Sequence, residues 1–241
     1  MPRIGWLSWP RVCVVCGRYT RAVLDCCPDC EASLPTIDVA CPRCARPVCE
    51  PVRLCERCVM ALPAYDSAWA AFRYEGVIAR LLDRFKNHAD LSAGHVLAAL
   101  MARQWRAQQR PRPDVLIPVP MHWSRFWVRG FQHTHQLARD LSRELGDVRW
   151  QAALKVRHRV ARQAHTDPQG RWLNPHNSVA LRSTRPFKRQ HLRGLSVALI
   201  DDVVVSGATA HEAARVLKHH GVEHVAIWAL ARGAWPETAE D

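Results

Sequence analysis

From Asp66 onward the chain alternates short apolar runs with amphipathic stretches. Ala68 to Tyr74 predicts a strand, and Val77, Ile78, Leu81, Leu82 and Phe85 then recur at helical spacing, predicting a helix that ends near Lys86. Leu91 to Gln108 continues as a second helical stretch. Val115-Leu116-Ile117 predicts a short strand stopped by Pro118-Val119-Pro120, because proline removes a ladder donor. A loop with Arg125 and Arg129-Gly130 leads to a helix from about Thr134 to Leu145, and residues 151–156 read as a strand. Residues 157–178 are basic, polar and without period, a long connection for a compact domain that predicts a mobile functional loop or hood. Order returns with a strand over Val197 to Ile200, a helix over Ala208 to His219 and a strand over His224 to Leu230. Such alternation predicts an α/β fold, a mostly parallel sheet with helices covering it.

Residues 1–63 have a different texture, rich in Pro and Arg and poor in periodic helices. All ten cysteines lie between Cys13 and Cys58. Cys13, Cys16, Cys27 and Cys30 recur 28 residues later as Cys41, Cys44, Cys55 and Cys58, and Leu34-Pro35 recurs as Leu62-Pro63 at the same offset. The pattern C-x2-C-x10-C-x2-C, used twice, pairs hooks that complete the tetrahedron Zn²⁺ accepts. A disulfide framework could also use ten cysteines, but the start of the chain lacks the long apolar core of a secretory signal, and cytosolic thiols stay reduced. Two structural zinc ions are therefore expected, on 13/16/27/30 and 41/44/55/58 if the hooks pair in sequence, or with hooks exchanged if they cross. Cys26 and Cys49 have no counterparts in the repeat and are spare. The expected organisation is a double zinc-ribbon module over residues 1–63 and an α/β domain over 64–241.

Composition narrows the class. At 241 residues, 48% apolar and 23% charged, the chain is neither fibrous nor disordered. Its formal charge is +12, and residues 103–193 alone hold 19 basic against 5 acidic side chains. Eight thiolates on two Zn²⁺ would lower the total to +8, still basic. A field of this sign suits nucleic acid, a polyphosphate substrate or an acidic protein, and does not separate them. No run approaches 18 apolar residues, so no membrane insertion is expected and the cytoplasm is the expected compartment.

The densest chemistry follows the strand Val197 to Ile200. Asp201-Asp202-Val203-Val204-Val205-Ser206-Gly207-Ala208-Thr209 carries two carboxylates, then small residues, into a helix N-terminus. Such a turn presents backbone N–H groups and hydroxyls to a phosphate with the helix dipole assisting, and the upstream carboxylates suit sugar hydroxyls. The ligand this predicts is a sugar phosphate. Neither G-x-x-x-x-G-K-[ST] nor G-x-G-x-x-G is present.

That run resembles the phosphoribosyl-pyrophosphate signature of type I phosphoribosyltransferases. With the double cysteine module ahead of it, the whole chain is similar to the ComF family of competence-associated, phosphoribosyltransferase-like proteins. Phe72-Arg73-Tyr74-Glu75-Gly76, Phe85-Lys86, Pro118-Val119-Pro120 and Arg129-Gly130-Phe131 match family segments, as do Arg157, Arg159, Gln163, Arg171 and Asn174 in the polar stretch. The departures are Gln132-His133 where the family has Asn-Gln, Val205-Ser206 where its phosphate loop has Thr-Thr, and Thr166-Asp167 where it has Leu-Ser.

The resemblance implies that Asp201 and Asp202 meet the ribose hydroxyls and a hydrated Mg²⁺, and that Val203 to Thr209 wrap the 5′-phosphate. It also makes Arg73, Lys86 and Arg129 candidates for the pyrophosphate side, with Arg157, Arg159 and Arg162 able to close over the anion. Trp123 and Trp127, beside Arg125, suit base stacking or core packing. His133, His135, His219 and His220 lack companions at metal-ligand spacing and receive no catalytic part. Two functions stay open at this point. One is Mg²⁺-dependent transfer of a phosphoribosyl group to an acceptor, within a role in DNA uptake. The other is a non-catalytic, ligand-sensing module that binds single-stranded DNA or a helicase-like uptake protein.

Overall fold

A computed structural model of the chain describes residues 11–121, 130–157, 179–182 and 192–234. The cysteine module contributes β1 (Arg11–Val12) antiparallel to β2 (Tyr19–Thr20), α1 (Pro28–Ala32) and α2 (Glu56–Met60). The α/β region follows with β3 (Ser67–Arg73), α3 (Gly76–Asn87), α4 (Leu91–Ala107), β4 (Val115–Pro118) and α5 (His133–Glu144). It ends with β5 (Leu154–Val156), β6 (Val179–Leu181), β7 (Ser196–Val204), α6 (Ala208–His219) and β8 (His224–Arg232).

The four main strands form one parallel sheet in the order β3-β8-β7-β4. Side chains alternate along β7: Ala198 and Ile200 join a core with Phe85, Leu97 and Leu137 of α3, α4 and α5, whereas Val197 and Leu199 join one with Ala213 and Leu217 of α6. Helices thus cover both faces, as the sequence predicts, and the strand ends that carry polar residues form a common edge where parallel sheets hold ligands. On the first face α3 and α4 meet closely at Gly94, where a Cβ would stand 2.4 Å from the Phe85 ring. Only glycine permits that approach.

Two features depart from the sequence reading. First, β7 does not stop before the acidic pair: Asp201 pairs with Ala229 and Val203 with Ala231, because the valines after the carboxylates keep the strand apolar enough to continue. Both acids therefore lie within the strand. Second, the three residues of β6 pair antiparallel with β5 as a separate two-stranded sheet. Of residues 157–178, read as a mobile functional loop or hood, all but Arg157 lie outside the described residues.

The cysteine module is stitched to the edge of the sheet. Thr36 bridges Phe72, the Arg73 N–H donates to the Pro35 carbonyl at 2.8 Å, and the Ala68 N–H donates to the Pro42 carbonyl at 2.9 Å. This covers the open edge of β3, which would otherwise expose unpaired backbone groups. The repeat persists in space. Gly17 and Ala45 both take positive φ and donate to Cys13 and Cys41, whose own N–H groups donate to Arg18 and Arg46.

Candidate functional site

Two sets of four thiols converge, Cys13, Cys16, Cys27 and Cys30 in one and Cys41, Cys44, Cys55 and Cys58 in the other, with ligand atoms inside each set within 4.8 Å of one another. The hooks pair in sequence and do not cross. The Cys27 N–H donates to Cys13 Sγ at 3.3 Å, and the Cys55 N–H repeats this on Cys41 Sγ at 3.3 Å. Burial pushes both thiols up, but these and other backbone N–H groups outweigh it and bring Cys13 to about 6 and Cys41 to about 7. A closed set of four sulfurs with one already favoured as thiolate fits structural Zn²⁺, so the tetrads can hold two zinc ions. Cys26 and Cys49 belong to neither set.

The second centre of chemistry is the end of β7. Asp202 is buried, and its Oδ2 receives Lys86 Nζ from the last turn of α3 at 2.8 Å and His133 Nε2 from the first turn of α5 at 2.5 Å. Its Oδ1 accepts the Val203 N–H at 2.6 Å. Burial alone would push this carboxyl up, but His133 and Lys86 outweigh it and hold Asp202 far below the usual carboxylate range. Asp201 is half-buried and makes no ion pair among the described residues; its Oδ1 accepts the Asp202 N–H at 2.9 Å. Burial and the neighbouring Asp202 charge push Asp201 well above its ordinary value. One acid of the pair is locked as an anion, and the other favours its proton.

After β7 the chain turns through Val205 and Ser206 to Gly207, which takes φ 73° as the N-cap of α6. Glycine is needed there because other residues resist left-handed backbone. The Ala208 N–H meets Ser206 Oγ at 3.3 Å, whereas the N–H groups of Val205, Ser206, Gly207 and Thr209 find no backbone acceptor among the described residues. Together with the α6 N-terminus they are N–H donors of the kind that suits a phosphate.

The sequence-predicted residues therefore distribute unevenly. Asp201 and Asp202 share the strand end with the loop from Val203 to Thr209. Lys86, read as a pyrophosphate-side cation, pairs with Asp202 and stands 5.9 Å from the centre of the Tyr74 ring. Arg73 is exposed at the end of β3. Arg129, Arg159, Arg162, Gln163, Arg171, Asn174, Trp123 and Trp127 lie outside the described residues. His133, given no part from the sequence, is a site residue that reading missed; its signal was the substitution of Gln132-His133 for Asn-Gln. A separate cleft of about 450 Å³ opens between β6 and α6, lined by Arg157, Arg215, His219 and His220.

As to Mg²⁺, the half-buried Asp201 carboxyl is the kind of oxygen ligand a hard cation takes, whereas both Asp202 oxygens already receive donors.

No family model matches the chain. Competence protein F of Haemophilus influenzae is 27% identical over 234 residues, covering 91% of this chain and 96% of that protein. DNA utilization protein YhgH of Salmonella typhi is 28% identical over 231 residues, 94% of this chain and 92% of that protein. Competence protein ComFC of Bacillus subtilis is 25% identical over 201 residues, 81% of this chain and 78% of that protein. Among solved structures, a purine phosphoribosyltransferase from Pyrococcus horikoshii is similar at a TM-score of 0.36 and 16% identity, over 68% of this chain and 76% of that one.

Proposed function

We propose that this chain, whose homologues support the ComF family, is a phosphoribosyltransferase-like protein of DNA uptake that binds phosphoribosyl pyrophosphate with Mg²⁺ at the end of β7. The observation that carries this reading is that the N–H groups of Val205, Ser206, Gly207 and Thr209 find no backbone acceptor among the described residues, and that they follow a carboxyl with no cationic partner among them. The N–H groups take the 5′-phosphate and Asp201 takes ribose hydroxyls. Lys86 and His133 hold Asp202 still and anionic behind it. When bound, Mg²⁺ supplies positive charge to the pyrophosphate oxygens that depart from C1. What this chain contributes to transfer is orientation of the sugar and a fixed negative field near a carbon that becomes oxocarbenium-like. The acceptor is a nucleophile that attacks C1 as pyrophosphate leaves.

Titration calorimetry with phosphoribosyl pyrophosphate and Mg²⁺ tests the reading. Saturable heat is expected from the natural protein, with affinity at least about tenfold weaker in Asp201→Asn, which loses a charged hydrogen-bond partner. No heat from the natural protein, or equal affinity in both, rules it out.

A second reading has its own observation. The cleft brings Arg157 of the basic segment together with Arg215, His219 and His220 of α6 and suits a phosphate backbone, the requirement of a sensing module on single-stranded DNA. Ligand binding without acceptor-dependent pyrophosphate release, together with salt-sensitive binding of an oligonucleotide, would favour that reading over transfer.

A further inference from the structure

The phosphate loop is gripped from behind by two arginines tied to the second cysteine tetrad. Within the 28-residue repeat, the second residue inside each hook is Val15 or Asp29 in the first tetrad but Arg43 or Arg57 in the second. Arg43 donates to the Pro63 and Asp66 carbonyls at 2.9 and 2.7 Å, fixing the segment that enters β3. Arg57 reaches across the sequence, and its Nη2 donates to the Ser206 carbonyl at 3.2 Å. Arg232, buried at the end of β8, donates from Nη1 to the Val204 and Val205 carbonyls at 2.7 and 2.6 Å, and the Cys44 sulfur lies near enough to favour its charge.

Three consecutive peptide groups are thus held by their oxygens. In a planar trans peptide the N–H points opposite to its C=O. Anchoring the carbonyls of Val204, Val205 and Ser206 on the module side therefore turns the N–H groups of Val205, Ser206 and Gly207 away from it. These are three of the N–H groups that find no backbone acceptor among the described residues.

We propose that the second tetrad, with its metal bound, is the positioning device of the phosphate loop and acts through Arg57 and Arg232. The proposal rests on the sugar-phosphate reading of that loop. Arg57 lies between Cys55 and Cys58 on the five-residue helix α2, too short to hold its own direction, so the flanking thiolates must set it. The first tetrad reaches elsewhere: Glu31 pairs with Arg103 of α4 at 2.5 Å, and the Val14 carbonyl accepts from Arg84 of α3 at 2.5 Å. Coupling of this kind is mutual, so whatever the metal does for the loop, a ligand on the loop does for the metal.

The test uses the full-length, zinc-loaded protein and Arg57→Ala, with Arg57→Met as a bulkier substitute should the alanine variant fail to keep its zinc. Zinc per chain, backbone hydrogen exchange over residues 205–213 and affinity for ribose 5-phosphate are measured on each. Expected are unchanged zinc content and, from loss of one charged hydrogen bond, exchange faster by about tenfold in that segment with affinity weaker by a similar factor. Cys13→Ser should lose one zinc without altering exchange over 205–213, whereas Cys58→Ser should lose one and accelerate it. Unchanged exchange in a zinc-replete Arg57 variant, or equal acceleration by the two cysteine variants, overturns the proposal. If the natural protein does not bind ribose 5-phosphate, the sugar-phosphate reading fails, and the exchange measurements still decide whether the tetrad positions the loop.

Discussion

His133 Nε2 lies 2.5 Å from Asp202 Oδ2, so a histidine at the start of α5 closes the same carboxylate oxygen that Lys86 reaches from the end of α3. Two helices on one face of the sheet are thereby pinned to the last residues of β7. The His133 ring also stands edge-on to Phe85 and Phe131, at 6.3 and 6.4 Å between centres, which shields the contact from water. A buried carboxylate with two donors is stable while both remain and costly once either is removed.

It follows that His133→Phe and Lys86→Met should each destabilise the protein by about 2 kcal/mol in urea unfolding at neutral pH, the scale of a hydrogen bond to a charged group. The sign with pH is fixed by the depressed folded value of Asp202. Its contribution is full above the ordinary aspartate value of about 3.9 and is lost as pH falls through the lower folded value. The stability gap between the natural protein and Asp202→Asn should narrow as pH falls below about 4. A gap that does not narrow there would mean that Asp202 is not held as an anion.

The cysteine centres predict a stoichiometry. The sequential grouping of thiols implies two zinc ions per chain, with Cys13→Ser and Cys41→Ser each removing one. Cys26→Ser should remove none: its Sγ contacts the Cys27 carbonyl at 3.8 Å and lies outside both sets. Metal analysis of the purified variants reads this directly. Loss of zinc from Cys26→Ser would show that the spare thiol takes the place of a repeat cysteine.

What the sequence disclosed was whatever repeats locally. The stripe Val77, Ile78, Leu81, Leu82 and Phe85 forms α3, and Ala208 to His219 matches α6 to the residue, because helical period is a short-range signal. The tetrads were legible because two hooks ten residues apart need only a turn to meet. By contrast, the unequal fates of Asp201 and Asp202 depend on Lys86 and His133, which approach from 116 and 69 residues away along the chain. Arg57 and Arg232 were silent for the same reason, since nothing near them in sequence announces the carbonyls they hold. β6 escaped because three residues at the edge of a polar stretch have no period to read.

Asp201 shifts in the opposite direction from its neighbour. Burial and the fixed Asp202 anion raise its proton affinity, so the free protein retains a proton on the pair at a pH where an ordinary aspartate has lost it. A bound Mg²⁺ would favour the ionised form and expel that proton. Binding of phosphoribosyl pyrophosphate with Mg²⁺ should then release up to about one proton per site at a pH above the ordinary aspartate value of about 3.9, and affinity should rise with pH until Asp201 is ionised without help. Calorimetry in two buffers of different ionisation enthalpy measures the release, and Asp201→Asn should abolish it. Asp201→Asn releasing the same number of protons as the natural protein would assign the proton to another group. A pH dependence of affinity that is the same in the natural protein and in Asp201→Asn would show that the neighbouring anion exerts no hold on Asp201.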